Sequence, residues 1–306
     1  MNMFYKLWMD AVNKKNDYIP MEVHWSEVPG RDEKWKEQTI RNTSLSQFQT
    51  EFECEFLGSV DTLVPASKIK TMAVIEPKRS KGFDVYEMPI KDHLYTMCVD
   101  VSRGLSSDYS ALVICDVTKV PYRIVCKYRS NDIKPIVYPN ILHKVGKYYN
   151  NAFCLIEIND LGQQVADSLM YELEYDNMMM VTQRGRSGQM LGGGFSGRGN
   201  QLGLRMTKAA KKIGCSNLKS LIEGDKLIIQ DFDIVSELST FISKGKSFEA
   251  ESGATDDLVM CLVIFSWMAN QRYFKELTDV DVRGQMFTEE QNAIEQNMAP
   301  FGFIDD

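Results

Sequence analysis

Short apolar runs that meet acidic residues mark the middle of this chain. Leu94-Tyr-Thr-Met-Cys-Val99 runs into Asp100, Phe153-Cys-Leu-Ile156 runs into Glu157, and Asp256-Asp257 opens the apolar run from Leu258 to Trp267. Apolar runs bounded by turn residues predict strands over 94–101, 110–117 and 123–129, a meander whose first turn is Gly104-Leu-Ser-Ser107. Helical spacing after Pro135 predicts a helix over 136–150, then a fully buried strand over 153–158 and a second helix over 163–175. Further on, the pattern predicts a strand over 178–182, a helix over 208–223 ended by Gly224, a short strand over 226–230, and helices over 234–243 and 256–271. The last is apolar on all sides, as a buried helix is. Residues 1–60 show no clean period, although Asn42-Thr-Ser-Leu-Ser-Gln-Phe-Gln49 reads as a cap followed by a helix to residue 55. Residues 279–306 form an acidic, weakly periodic tail that is expected to be mobile.

A hairpin group feeding into strand-helix alternation implies an α/β fold, a mixed β-sheet flanked by helices. Asp100 and Glu157 end strands of that sheet, and a helix starting at Asp257 can lie across the same edge. An acidic cluster at one sheet edge is therefore expected.

Composition narrows what such a cluster does. With 306 residues and 44% apolar content the chain can bury a substantial core. No apolar run approaches the roughly 18 residues of a membrane span, and the N-terminus lacks a signal-peptide pattern, so no membrane association and an intracellular location are expected. The seven cysteines, Cys54, Cys98, Cys115, Cys126, Cys154, Cys215 and Cys261, show no Cys-x-x-Cys spacing and read as reduced, buried side chains. His24, His93 and His143 are scattered, which argues against a histidine-based zinc site. The net charge of −7 means that any contact with nucleic acid must be a local patch.

Carboxylates brought to one edge repel by roughly 4 kcal/mol per pair at 4 Å and an effective dielectric near 20. A divalent cation relieves that repulsion. Hard cations such as Mg²⁺ take oxygen ligands, and two of them clamp the attacking and leaving oxygens of a phosphodiester. Metal-dependent nuclease is the first reading. Each acid also has a plainer use. Asp100 precedes a turn and can bond its own backbone. Asp108, across that turn, is either an acid supporting the metal ligands or the end of the turn. Glu157 sits at the end of a buried strand, where an unpaired carboxylate costs several kcal/mol, and Asn159-Asp160-Leu-Gly162 beside it supplies no cation. Thr255 can cap the helix that follows, with Asp256 and Asp257 complementing its dipole.

The glycine-rich stretch from Arg184 to Gly203 carries Arg184, Arg186 and Arg198, and Arg205, Lys208, Lys211 and Lys212 follow it. It suits a flexible loop that grips phosphates and orders on DNA, the alternative being a tolerated surface insertion. Gly245-Lys-Ser247 has the end of a phosphate loop, but Thr240 stands where the upstream glycine would be, so no ATP site is expected.

These residues resemble the large subunit of the tailed-bacteriophage DNA-packaging terminase, of the T-even type. The matching segments are Cys98-Val-Asp100 with Asp108-Tyr-Ser-Ala-Leu112, Ile156-Glu-Ile-Asn159 with Gly162, Gly214-Cys-Ser-Asn-Leu-Lys-Ser-Leu-Ile-Glu223 with Asp225-Lys-Leu-Ile-Ile229, and Asp256-Asp-Leu-Val-Met260 with Leu262-Val-Ile-Phe265. The similarity extends from about Phe4 to Phe274. It implies an RNase H-like nuclease domain over 61–278 that cuts concatemeric viral DNA with Mg²⁺ or Mn²⁺, two ions in the active complex. It further implies that Asp100, Glu157 and Asp257 are the catalytic metal ligands, with Asp256 the close alternative to Asp257. Residues 1–60 resemble the end of the packaging ATPase and its linker, so the chain resembles a fragment or a separately encoded nuclease part. The resemblance implies double-stranded DNA, the portal protein and the small terminase subunit as partners, at the procapsid portal in the host cytoplasm. Two departures stand out: Arg103 occupies a turn position where some relatives carry an acid, and Thr255 stands where a His often precedes the acidic pair. A DNA-gripping translocation and docking module of the packaging motor, or an RNase H-like junction resolvase, are the competing functions.

Overall fold

The computed structural model describes residues 7–8, 11, 16–43, 48, 51–53, 61–103, 108–184, 188–192, 200–245 and 247–279, with Gln183 and Arg184 described in the backbone alone. In chain order, a 3-10 turn (Trp25–Glu27), α1 (Glu33–Asn42) and α2 (Ala66–Lys70) lead to the hairpin β1 (Lys78–Ser80) and β2 (Phe83–Val85). Then come β3 (Tyr95–Asp100), β4 (Ser110–Asp116), β5 (Tyr122–Ser130), α3 (Tyr138–Tyr148) and β6 (Phe153–Ile156). Helix α4 (Gly162–Asp167) continues as a π turn (Ser168–Glu172) before β7 (Met180–Arg184), β8 (Gly188–Gly192) and β9 (Asn200–Leu202). The chain goes on through α5 (Lys208–Glu223), β10 (Leu227–Ile228), α6 (Phe232–Leu238), β11 (Phe241–Lys244) and β12 (Ser247–Ala250), and then α7 (Asp257–Ala269) and α8 (Arg272–Thr278). Residues 1–74 with 230–259 make one compact unit, and residues 75–229 with 260–306 make another.

The second unit is built on a seven-stranded mixed sheet in the order β1-β2-β5-β4-β3-β6, with β10 also pairing β5. Strands β1 to β5 pair antiparallel, whereas β6 runs parallel to β3 and β10 parallel to β5. Every residue of β4 is buried, which is why its middle, Ala111 to Cys115, reads as an unbroken apolar run. On one face Met97, Val99, Leu112, Ile114, Cys154 and Ile156 pack with Tyr138 and Leu142 of α3 and Val165 and Ala166 of α4. The expected mixed sheet with flanking helices is present. Six of the cysteines, Cys98, Cys115, Cys126, Cys154, Cys215 and Cys261, are buried and free of disulfides, and Cys54 lies outside the described residues. None of the described helices is long and apolar enough to cross a membrane.

Several sequence expectations are corrected. The span 178–182 divides: Met178 bridges Cys154 in parallel, and from Met180 the chain leaves to form a separate three-stranded sheet, β8-β7-β9. Gly188–Gly192 and Asn200–Leu202 are therefore strands, so the glycine-rich stretch is not a loop throughout. The helix expected over 234–243 starts at Phe232 and stops at Leu238. There the Ser239 and Thr240 hydroxyls donate to the Ser236 and Glu237 carbonyls, and Phe241 turns into β11. Asn42 ends α1 rather than opening a new helix; Phe48 and Glu51 are helical, and much of that stretch lies outside the described residues. Of the expected tail, only Asp279 is described.

The first unit holds an aromatic group in which Trp25 stacks on Trp35 at 6.2 Å and Phe48 and Phe52 close around them. Arg31 lies 4.5 Å over the Trp35 ring, and Lys36 pairs with Glu53 at 2.8 Å. Asp32 caps α1 by accepting from the Trp35 amide at 2.8 Å. Hairpin β11-β12 is extended by residues 61–63, where Thr62 bridges Ile242 and the Leu63 amide donates to the Phe241 carbonyl.

Candidate active site at one edge of the sheet

Asp100 ends β3, and its Cα partner across the antiparallel ladder is Ala111 of β4. Ala111 in turn pairs with Arg129 of β5. On the other side, β3 and β6 run in parallel register as far as Val99 opposite Ile156, and the Glu157 amide donates to the Val99 carbonyl at 2.9 Å. One further step of that ladder sets Glu157 beside Asp100. Partners across adjoining strands project from the same face of a sheet, and strands lie about 4.8 Å apart. Glu157, Asp100, Ala111 and Arg129 thus form one row across four strands. Both carboxylate residues are half-buried.

Close packing of backbone holds the Glu157 position. A Cβ at Gly162 would meet the Glu157 carbonyl oxygen at 1.8 Å, so only glycine lets the start of α4 come this close. Gly203, at φ +107, carries the chain past the Ile156 carbonyl oxygen, which a Cβ would meet at 2.3 Å. Leu204 then bridges Glu157 in parallel, with the Ile158 amide donating to the Leu204 carbonyl at 3.0 Å. Asn159 fastens the next step: its side-chain amide donates to the Met206 carbonyl, and its side-chain oxygen accepts from the Met206 amide. The loops that leave β3 and β6 are joined by an exposed ion pair, Arg103 to Asp160 at 2.5 Å. The hydrogen bond from Arg103 holds the Asp160 carboxyl below the usual carboxylate range and raises the guanidinium in turn. Asp108 is exposed, one residue before Tyr109 at the entry to β4. The intervening 104–107 lie outside the described residues.

Asp257 is the first residue of α7 and is half-buried in the first unit, while α7 continues into the second unit from Met260. The cap expected from Thr255 comes instead from Glu237 of α6. The Leu258 and Val259 amides donate to its carboxylate at 2.8 and 3.0 Å, and the Thr255 hydroxyl reaches the same group at 3.2 Å. A buried glutamate at a helix N-terminus satisfies amides that the helix cannot and sits favourably in its dipole. Asp256 accepts from the Ala250 amide at 3.3 Å, which ties that carboxylate to β12.

The candidate basic residues all belong to the second unit. Arg205 is exposed one step beyond the Leu204–Glu157 bridge, and its backbone is gripped by Gln189 of β8, whose side chain donates to the Arg205 carbonyl and accepts from its amide. Lys208 and Lys212 are exposed and Lys211 half-buried on the first turns of α5, whose cap Thr207 accepts from the Ala210 amide at 3.1 Å. Cations at a helix N-terminus work against the dipole, so helix stability is not what these lysines serve. Arg184 ends β7, and Arg186 and Arg198 lie outside the described residues. The sequence reading singles out neither Arg129 nor Glu237. The signal for Arg129 is cross-strand register, and that for Glu237 is a cap supplied from a distant element.

Residues 97–268 match the family model of the terminase RNaseH-like domain. Among solved structures the chain is similar to the large terminase nuclease from thermophilic phage G20c with bound magnesium, at 19% identity and a TM-score of 0.52, covering 68% of this chain and 97% of that one. The cobalt-bound form of the same nuclease matches equally, and a further structure of it matches at 18% identity and a TM-score of 0.50, covering 70% of this chain and 100% of that one. At this level of identity, the likeness to solved structures is one of fold.

Proposed function

The chain belongs to the terminase RNaseH-like domain family, and from that premise we propose that it is a divalent-metal-dependent endonuclease that cuts concatemeric viral DNA during genome packaging. The observation that carries this is the placing of Glu157 beside Asp100 at the open end of the sheet. Carboxylate oxygens are the donors that hard divalent cations prefer, and Cys98, two residues before Asp100, is buried below the edge. The residues fit such an ion. Asp100 and Glu157 of the second unit would hold Mg²⁺ or Mn²⁺, two ions in the active complex; Asp257, the acid that the resemblance adds, belongs to the first unit. Asp256 is the lesser candidate because its carboxylate already serves the Ala250 amide. Bound metal supplies Lewis-acid polarisation of a phosphodiester oxygen and a water of lowered pKa. The chain's own part is to hold those ligands on rigid strand ends and to draw the DNA backbone to them through Arg205, Lys208 and Lys212. The double-stranded substrate is delivered in an assembly whose other members are the portal protein and the small terminase subunit, in the host cytoplasm.

Plasmid cleavage in Mg²⁺, Mn²⁺ or EDTA tests the reading. Nicking and linearisation are expected with either metal and none in EDTA. Cleavage that persists in EDTA, or its absence with both metals, would overturn it.

A further inference from the structure

We propose that Arg129, braced on the ring of Tyr109, holds a backbone phosphate of the DNA beside the carboxylate pair; this rests on the nuclease reading above. Arg129 stands in the same cross-strand row as Asp100, and the residue between them is Ala111. Ala111 is itself buried, and two strand spacings, about 10 Å, separate the backbones that carry the acid and the base. The guanidinium is turned toward the open end of the sheet. Its carbon lies 3.8 Å from the centre of the Tyr109 ring, and Tyr109 precedes Ala111 by two residues, on the same face and nearer the end where β3 finishes at Asp100. The side chain is only partly exposed, so its direction is held by packing.

The chemistry of the row requires a cation at this place. Two carboxylates repel a phosphodiester as they repel each other, and a metal between them answers only the part of that charge it touches. A guanidinium opposite the acids presents a planar fork that meets two non-bridging phosphate oxygens at once, which an ammonium does not. Stacking on an aromatic ring fixes that plane before DNA arrives and reduces the rotamer freedom lost on binding. No bond is made or broken at Arg129. It positions the phosphodiester for the reaction that the neighbouring acids support.

The test compares full-length wild type, Arg129→Gln and Arg129→Lys on a blunt duplex oligonucleotide of random sequence. Affinity is read across a salt series in EDTA, and cleavage is read in Mn²⁺. In EDTA, Arg129→Gln is expected to bind about tenfold more weakly and to flatten the slope of log affinity against log salt by about 0.9, one phosphate contact. Arg129→Lys should keep the slope, because the charge remains, yet cleave more slowly than the wild type, because the fork is gone. Melting in Mn²⁺ should match the wild type in both variants, which shows an intact fold and metal site. Wild-type affinity and slope in Arg129→Gln would overturn the proposal, and so would a lowered melting temperature with unchanged binding, which would make the Tyr109 contact a structural brace. If the wild type cleaves nothing in either metal the nuclease reading fails, and the EDTA binding series still decides on Arg129.

Discussion

Neutralising each of the proposed metal ligands has an expected consequence. Asp100→Asn, Glu157→Gln and Asp257→Asn should each abolish plasmid cleavage, while in Asp100→Asn and Glu157→Gln apo stability holds or rises slightly because the carboxylate that remains loses a like charge beside it. Mn²⁺ should raise the wild-type melting temperature, by the equivalent of about 2.7 kcal/mol at a hundred times its dissociation constant, and Asp100→Asn should lose most of that shift. An equal shift in the variant would place the ion elsewhere, and full cleavage by Asp257→Asn alone would move the role to Asp256. At the far end of β4, Asp116 serves stability instead. Burial pushes its carboxyl up, but hydrogen bonds from Thr118 and from His93, at 2.7 Å, outweigh that, so the net shift is downward; Arg123 also lies 3.3 Å from it. A carboxyl lowered in the folded state contributes stability that is present above about pH 4, its unfolded range, and is lost as the pH falls through the folded value. Asp116→Asn should therefore lose about 1.5–3 kcal/mol at neutral pH and flatten the acid limb of a melting-temperature profile, and an unchanged acid limb would contradict this role. The difference between Asp100 and Asp116 was half legible in the sequence. Both end apolar runs, but only Asp100 is matched by a second acid-ended strand, whereas the His93 and Arg123 partners of Asp116 come from register and loop geometry that no local pattern reveals.

At the scale of elements, α7 shows how a helix can be read correctly and its anchoring missed. Thirteen residues that are apolar on every side specify a buried helix, and Asp257 as its first residue follows from the position of the acidic pair. What fixes the first turn is Glu237, about twenty residues upstream on α6, only 4% exposed and accepting from two amides of the helix. Glu237→Ala should leave those amides buried without an acceptor and cost about 2–4 kcal/mol, seen as a lowered melting temperature, while Glu237→Gln, which keeps one acceptor oxygen, should cost about half of that. Equal stability of the alanine variant and the wild type would remove Glu237 from this role. The helix expected over 234–243 fails for a different reason. A period of 3.6 fits Ile234, Val235, Leu238 and Phe241 equally well, so the pattern cannot see that the Ser239 and Thr240 hydroxyls end the helix and that Phe241 belongs to a hairpin paired with Ala250. The strands of the glycine-rich stretch escape for a similar reason: Gly188 and Gly192 lower β propensity, and pairing with β7 overrides it.

For the whole molecule, the fold class was legible because the main sheet combines a meander of apolar strands with a parallel strand reached through a helix, and both leave strong local patterns. The arrangement of charge was less so. A chain of net charge −7 must bind DNA through a restricted region, and the sequence draws attention to Arg184, Arg186 and Arg198 because they lie among glycines. The structure puts a second group beside the acids: Arg205 one residue past the Leu204 bridge to Glu157, and Lys208 and Lys212 exposed on the helix that follows, in positions that oppose the helix dipole. These two sets can be separated by salt dependence. On duplex DNA each phosphate contact contributes about −0.9 to the slope of log affinity against log salt, so losing three contacts flattens it by about 3. The triple variant Arg205→Ala, Lys208→Ala, Lys212→Ala should show that loss with the melting temperature unchanged or slightly raised, since removing cations from the start of α5 favours its dipole. Base preference should hardly change, because contacts of this kind orient the duplex without reading it. A full slope in that variant, together with a flattened one in Arg184→Ala, Arg186→Ala, Arg198→Ala, would shift the DNA-gripping surface from the sheet edge to the glycine-rich segment.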